Sequence, residues 1–112
     1  MGRDDWFRSS TWTKDDEELF YKKLSRQRSS SQKSQSLRIK AYHLIDTYPD
    51  VADQLLDTLI NDYPSEFDMA MAYALKAKLA TLREDIEKRR YWIQKCEDHQ
   101  KEFPNVVVNI TF

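Results

Sequence analysis

The sequence predicts an all-α fold of about five helices that pack as stacked antiparallel helical hairpins. The chain has 112 residues but only one glycine and three prolines, too few for the glycine-rich turns that join short β-strands. Apolar residues recur at spacings of three and four through most of the chain, as on the buried face of a helix. Prolines after Tyr48, Tyr63 and Phe103 divide this pattern, because a residue before proline disfavours helical angles.

The composition is that of one soluble domain. About 40% of the residues are hydrophobic and 33% are charged, and a chain of this length can bury one core but not two. No apolar run reaches the roughly 18 residues of a membrane span, and no leader marks export, so we expect no contact with a membrane. A single cysteine, Cys96, cannot form an internal disulfide, which favours a cytoplasmic location.

Residues 1–12 lack helical periodicity and are predicted to form an extended N-terminal arm. The arm carries three large aromatic side chains: Trp6, Phe7 and Trp12. The helix that follows is expected to be capped by Thr13, with Asp16 at its third position, and it has only a thin apolar stripe. We therefore expect the three aromatic residues to form a structural lid over this stripe, with direct contact to a partner as the alternative.

A serine-rich segment, residues 25–36, separates the first helix from the remainder of the chain. It contains six serines and no apolar residue. Such a composition is typical of linkers, so the segment is predicted to be a flexible loop, with a frayed helix end as the alternative.

Four further helices are predicted between residues 37 and 104. The first of them ends before Pro49, and Asp50 is then expected to cap the next one, which ends before Pro64. The helix after its expected cap, Ser65, is apolar on several sides, which is typical of a central helix. Together with the first helix, they form a predicted helical domain over residues 13–104.

The tail, residues 105–112, has a different period. Its apolar residues alternate with others, as in a strand: Val106, Val108, Ile110 and Phe112. Because an unpaired apolar strand associates readily with another chain, homo-oligomerisation through the tail is one hypothesis. A tail that lies in a groove, or one that marks where a longer protein was cut, are the alternatives.

Charge is unevenly distributed, although the formal net charge is only −1. Seven cations and no acid lie between residues 22 and 40, and seven acids without Lys or Arg lie between residues 46 and 68. Solvated faces of neighbouring helices explain such blocks, and steering of a charged partner is the alternative. Four acids of the third helix are predicted to face solvent and to be available to a basic partner: Asp50, Asp53, Asp57 and Asp62.

The basic block offers a second class of function, RNA or DNA binding. Its cations would neutralise phosphates, and Tyr21 and Tyr42 would stack on bases. The acidic block that follows and a sequence pI near 6.1 count against a broad basic surface. The cations of this alternative site are Lys22, Lys23, Arg26, Arg28, Lys33, Arg38 and Lys40.

The sequence shows no pattern typical of an active site. The single glycine excludes a glycine-rich phosphate loop. Cys96 and His99 lie three residues apart on one helix face, but a zinc site needs four ligands, so a buried thiol and a surface or half-buried histidine are the simpler interpretation. We therefore expect a protein that is not an enzyme, with no cofactor and no metal.

The later part of the chain contains the turn Leu82-Arg83-Glu84-Asp85-Ile86, then Tyr91 and Trp92 in the following helix, and Pro104 after it. This layout resembles the tetratricopeptide repeat family, which has a Leu-Gly-Asp-Tyr turn, aromatic residues in its second helix and a closing proline at the corresponding places. Arg83 replaces the turn glycine, and the two closing prolines are about 40 residues apart rather than the family's 34. The resemblance covers roughly residues 36–104 and implies a binding scaffold of helix pairs.

The opening residues resemble those of small uncharacterised bacterial proteins that continue into a tetratricopeptide-like array. The shared pattern is Trp6, Phe7, Arg8 and Trp12, followed by an acidic helix through Phe20 and Leu24. This resemblance implies a binding scaffold and a bacterial cytoplasm, and it transfers no reaction to this chain.

The sequence therefore predicts a non-catalytic protein–protein interaction module, a scaffold or adaptor. A sharper hypothesis is an immunity-type inhibitor that neutralises a cationic toxin through its acidic helix face, with fast and salt-sensitive association.

Overall fold

The computed structural model describes residues 9–105, and within that range it contains five helices and no strand. The helices are α1 (Lys14–Arg26), α2 (Ser30–Leu44), α3 (Pro49–Asp62), α4 (Glu66–Leu82) and α5 (Ile86–Glu102). The all-α prediction is confirmed. None of these helices is long and apolar enough to cross a membrane. Trp6 and Phe7 of the proposed lid, and the apolar residues of the proposed strand-like tail, lie outside the described residues.

Thr13 caps α1 as predicted. Its side-chain oxygen accepts a hydrogen bond from the amide of Asp16 at 3.1 Å, and the Asp16 carboxylate accepts one from the amide of Thr13 at 2.9 Å. This reciprocal capping box satisfies two amides that the first turn of a helix leaves unpaired. Ser65 caps α4 in the predicted position, since its hydroxyl accepts from the amide of Asp68 at 3.2 Å.

The flexible loop predicted over residues 25–36 is wrong, because most of this segment is helical. α1 continues to Arg26 and α2 begins at Ser30. Ser29 caps α2, as its hydroxyl accepts from the amide of Gln32 at 3.0 Å and the Gln32 side chain accepts from the amide of Ser29. The serines thus supply a helix start rather than a linker.

Two serines of this segment are buried in the packed face of α2. The hydroxyl of Ser34 lies 3.4 Å from that of Ser65, and Ser36 donates to the side-chain oxygen of Gln27 at 3.0 Å. The small side chain of Ser34 lets the second turn of α2 lie close to the start of α4, and each hydroxyl has a polar partner. Tertiary packing therefore overrides what the composition indicates.

The expected cap at Asp50 is also wrong. Pro49 is the first residue of α3, where its missing N–H removes no hydrogen bond, and Tyr48 occupies the cap position without a side-chain bond. α2 ends at Leu44, and residues 45–48 form the connection.

The helices fold back on one another in chain order. α2 packs on α3, α3 on α4 and α4 on α5, and α2 also packs on α4. Arg83, just after α4, bonds to Asp50 in the first turn of α3. His99, near the end of α5, contacts the main-chain oxygen of Glu66 at the start of α4. The end of each of these helices therefore lies beside the start of the helix before it.

One core joins four of the helices, with α4 at its centre as predicted. Nine of the 17 residues of α4 are buried, and its five buried alanines let neighbouring helices approach closely. α5, by contrast, buries only Cys96. The core cluster consists of Phe20, Leu24, Leu37, Ala41, Leu44, Ile45, Ala52, Leu55, Leu56, Leu59, Ala72, Leu75 and Leu79.

Lys40 holds the described end of the N-terminal arm. Its ammonium is buried and donates to the main-chain oxygen and the hydroxyl of Ser9, at 2.9 and 3.0 Å, and to the main-chain oxygen of Thr11 at 3.4 Å. The ammonium also lies 5.5 Å from the ring centre of Trp12. Burial lowers the pKa of Lys40, and the nearby Asp16 carboxylate opposes this shift.

Trp12 packs against the apolar stripe of α1. Its ring meets that of Phe20 edge-on at 5.8 Å and that of Tyr21 at 6.3 Å. Trp12 is half-buried and packs against the core cluster. This position is compatible with the predicted lid over the apolar stripe of α1.

The turn between α4 and α5 places Glu84 in the left-handed region, with φ of 56°. The amide of Glu84 donates to the main-chain oxygen of Thr81 at 3.1 Å, and that of Asp85 donates to Ala80 at 2.8 Å. This pair of bonds is a Schellman motif, whose left-handed position is usually glycine. The family resemblance aligns Arg83 with the turn glycine. Arg83 has a φ of −91°, a conformation that does not require glycine.

We predict that Trp12→Ala lowers the free energy of unfolding by about 2 kcal/mol, because it removes the ring that covers Phe20. Thermal unfolding followed by circular dichroism should show a melting temperature lower by roughly 10 °C. Trp12→Phe, which keeps a ring on Phe20, should lose less. Equal melting temperatures for both variants and the wild type would show that the ring contributes no stability.

We predict that Glu84→Gly raises the free energy of unfolding by about 0.5 to 1 kcal/mol, because glycine adopts the left-handed conformation without steric cost. Urea denaturation measures the change. Glu84→Ala is the control, since it removes the same charge but keeps the Cβ atom, and it should give no gain. Equal gains in both variants would assign the effect to charge instead of backbone conformation.

Candidate functional site

A groove of about 340 Å³ runs between α3 and α5, and α4 forms its floor. We call it the α3–α5 groove. The turn after α4 closes one end of it. Its lining comprises Asp53 and Asp57 from α3, Lys76, Leu79 and Ala80 from α4, Arg83 and Asp85 from the turn, and Lys88, Tyr91 and Trp92 from α5.

Lys76 lies in the floor of the groove with its side chain only 7% exposed. Its ammonium donates to Asp53 and to Asp57, one turn apart on α3. It also lies 5.3 Å from the ring centre of Trp92 on α5, within the range of a cation–π interaction. A buried ammonium is tolerated only where partners replace its water, and here these partners come from both neighbouring helices.

Arg83 extends this ion-pair network along the same wall. Its guanidinium donates to Asp53 at 3.0 Å and to Asp50 at 2.6 Å. Burial by itself raises the pKa of Asp53, but the hydrogen bonds from Lys76 and Arg83 outweigh it and hold that pKa below its ordinary value. The hydrogen bond to Asp53 in turn raises the pKa of Arg83. Three carboxylates of α3 thus share two cations.

The acidic face of α3 is therefore not the free, solvated surface that its spacing suggests. Asp53 is 29% exposed and uses both carboxylate oxygens in ion pairs. Asp50 and Asp57 each give one oxygen to an ion pair and remain 91% and 56% exposed. Asp62 is exposed. Binding of a partner by these four acids remains a prediction. Asp57 lies on the groove wall, and Asp50 is paired with Arg83 at the closed end of the groove.

A row of aromatic rings continues from the α5 wall, and we call it the aromatic row. Trp92 stacks on Tyr73 of α4, with ring centres 5.9 Å apart, and Tyr91 meets Trp92 edge-on at 4.8 Å. His99 lies 5.8 Å from Tyr73 and 4.8 Å from Phe103. The sequence did not reveal this row, because Tyr73 lies on α4, whereas Tyr91, Trp92 and His99 lie on α5 and Phe103 directly follows it.

The seven cations of the basic block separate into two groups. Lys33 lies 5.3 Å from the ring centre of Tyr63, and Lys40 holds the N-terminal arm. Arg38 donates to Asp68 at 2.6 Å and lies 5.1 Å from the ring centre of Phe67. The other four are exposed on α1 and just after it: Lys22, Lys23, Arg26 and Arg28. Nucleic-acid binding by this block remains a prediction. Only the four exposed cations would be available to contact phosphates.

Cys96 and His99 do not face a common site. Cys96 is buried, its thiol lies 3.8 Å from the main-chain oxygen of Ala70, and burial raises the pKa of that thiol. His99 contacts the main-chain oxygen of Glu66. Within residues 9–105, no three His, Cys, Asp or Glu side chains are placed so that they could hold a metal ion.

Comparisons of the chain with models of protein families, with curated proteins and with solved structures give no significant match. The geometry of the groove is therefore the basis for assigning a function.

We predict that Asp53 contributes stability above about pH 4 that is lost on acidification. Its pKa is lowered by folding, so its contribution is complete above the unfolded-state pKa of about 3.9 and disappears as the pH falls through the lower folded-state value. Urea titrations of the wild type and of Asp53→Asn between about pH 2 and 6 should therefore converge at the acid end. Asp62→Asn, at an exposed position of the same helix, is the control and should leave the free energy of unfolding close to that of the wild type. A difference for Asp53→Asn that is independent of pH would contradict the assignment.

Proposed function

We propose that this protein is a non-catalytic module for protein–protein interaction in the bacterial cytoplasm, and that it holds its partner in the α3–α5 groove. The observation that carries this proposal is the exposed Tyr91 beside the half-buried Trp92 on the groove wall. Tyrosine, tryptophan and arginine are the residues that most often dominate binding energy at protein interfaces. The bacterial and cytoplasmic parts rest on the resemblance of the opening residues and on the single buried thiol.

The aromatic row favours the proposal that this surface binds another protein. Its rings are held by one another, because Trp92 is fixed between Tyr73 and Tyr91. Rigid aromatic side chains offer a large contact area and lose little conformational entropy when a partner binds. The row is therefore suited to receive an apolar strip of another protein.

The ion-pair network of Lys76 and Arg83 fixes the shape of the groove before a partner binds. Lys76 joins α3 to α4 through two carboxylates, and Arg83 ties the turn after α4 to the start of α3. A preformed site avoids part of the ordering cost of association. The lowered pKa of Asp53 also makes its carboxylate a weak base, which suits a structural role better than a catalytic one.

We further propose that the helices form a tetratricopeptide-like stack, with α2 and α3 as one hairpin and α4 and α5 as the next. In support, the first helix of each proposed hairpin packs on the other, α2 on α4. In such a stack each unit contacts its neighbours, and the last unit keeps an open face. α5, which buries one residue, suits that terminal position.

The immunity-type hypothesis fits this groove as a narrower proposal. Asp50 and Asp57 keep one carboxylate oxygen each outside the ion pairs among the described residues. A basic partner would meet these oxygens on the α3 side of the groove. Capture by an entirely acidic face would instead require the partner to displace Lys76 and Arg83.

We predict that Tyr91→Ala reduces capture of the partner at least tenfold, because truncation of an interface aromatic residue costs about 2 kcal/mol. The tagged protein is used to capture proteins from a lysate of its source, and the captured protein is quantified by mass spectrometry. Tyr42→Ala is the matched control, since Tyr42 and Tyr91 are both 53% exposed and Tyr42 lies on α2, outside the groove.

Equal capture by both variants would reject the groove as the binding surface. If the captured material is RNA or DNA, and if Lys23→Glu releases it at about 0.1 M salt, the basic block is the functional surface and the nucleic-acid alternative is correct.

A further inference from the structure

The two walls of the α3–α5 groove differ in charge. The α3 wall presents only carboxylates, those of Asp53 and Asp57, while along α5 itself the wall presents Lys88 with Tyr91 and Trp92. The one carboxylate on that side, Asp85, caps the start of α5 at the closed end of the groove. One turn further along α5, the ammonium of Lys95 lies 5.6 Å from the ring centre of Tyr91. The groove therefore has an acidic edge and a basic, aromatic edge.

The internal ion pairs do not remove this difference. Asp50, Asp53 and Asp57 carry three negative charges against the two positive charges of Lys76 and Arg83. Among contacts between described residues, Asp57 uses one carboxylate oxygen and stays 56% exposed, so its second oxygen is available to a partner. On the other wall the Lys88 side chain is exposed, and its ammonium has no hydrogen-bond or ion-pair partner among residues 9–105. Its main-chain amide donates to Asp85 at 3.0 Å.

Between the two edges the half-buried ring of Trp92 offers an apolar contact. Leu79 and Ala80 line the floor beside it, next to Lys76, but they are only 2% and 4% exposed. The lining residues span about one turn of each wall, and the volume of about 340 Å³ is at the lower end of the range for binding pockets. A partner would thus insert the side chains of one central turn.

We propose that the groove selects a helix of its partner protein that carries basic residues along one edge, acidic residues along the other and an apolar strip between them. This inference rests on the proposed function. The basic edge lies along Asp57, the acidic edge along Lys88 and Lys95, and the apolar strip on Trp92. Like charges that meet at an interface cost several kcal/mol. Each wall of the groove therefore binds only the edge of the partner helix that carries the opposite charge.

The direction of the bound helix follows from the same arrangement. Turning the helix end for end, with its apolar strip still on the floor, exchanges its two edges between the walls. Both edges would then meet charges of their own sign. The groove therefore fixes which way the partner runs, as well as which face it presents.

Two synthetic helical peptides of identical composition, each constrained by a side-chain staple, test this proposal. Both carry a leucine strip. In the first, lysines lie along one edge of the strip and glutamates along the other, and in the second the two residue types alternate on both edges. Fluorescence anisotropy of the labelled peptides at about 0.15 M salt should show the first peptide binding at least tenfold more tightly.

Lys88→Glu should weaken binding of the first peptide at least tenfold, because both walls are then acidic. Arg90→Glu is the matched control, since Arg90 is exposed on the same helix outside the groove, and it should leave the affinity unchanged. Asp57→Asn tests the opposite wall with a milder change and should weaken binding of the first peptide at least threefold. Asp15→Asn is its control, since Asp15 is exposed on α1 and outside the groove.

Equal affinity for the two peptides, no binding of either, or an unchanged affinity after Lys88→Glu would each overturn the proposal. Failure here is distinguishable from failure of the proposed function. If the protein partner is still captured in a Tyr91-dependent way, the groove binds a protein and only the charge pattern is wrong.

Discussion

The arrangement of the last three helices depends on the ammonium of Lys76. It lies in a helix whose buried residues are mostly alanine and leucine, so its charge needs partners from elsewhere. Asp53 and Asp57 provide them from α3, and the ring of Trp92 provides a third from α5. Without these carboxylates the chain would bury an unpaired charge, at a cost of several kcal/mol. The positions of α3 and α5, which form the walls of the groove, therefore depend on the contacts of this one cation.

Much of the fold follows from local signals in the sequence. The capping bonds of Thr13 and Ser65 depend on residues within one turn, and the apolar sides of α4 show that it is central. The serine-rich segment is different. Its composition is that of an average linker, whereas burial of Ser34 depends on Ser65 at the start of α4, 31 residues further along the chain and beyond any local window.

The candidate site was predictable only in part, for the same reason. The spacing of the acids shows which face of α3 they occupy, but it does not show which helix covers that face. Lys76 is 19 residues from Asp57, and Arg83 is 33 residues from Asp50. The pairing of Tyr73 with Trp92 likewise needs the packing of α4 on α5. A period of 3.6 residues assigns faces, and only the tertiary structure assigns neighbours.

The hold of Lys40 on the N-terminal arm has a consequence for how this stretch can vary. Two of its three hydrogen bonds are to main-chain oxygens, those of Ser9 and Thr11. A carbonyl group is present whatever the side chain, so mutational drift at these two positions leaves both acceptors in place. The reverse does not hold, because no shorter or uncharged residue at position 40 reaches both carbonyls with an ammonium. These two bonds are thus encoded at one codon, that of Lys40, while the side chains at positions 9 and 11 are free to change without removing them.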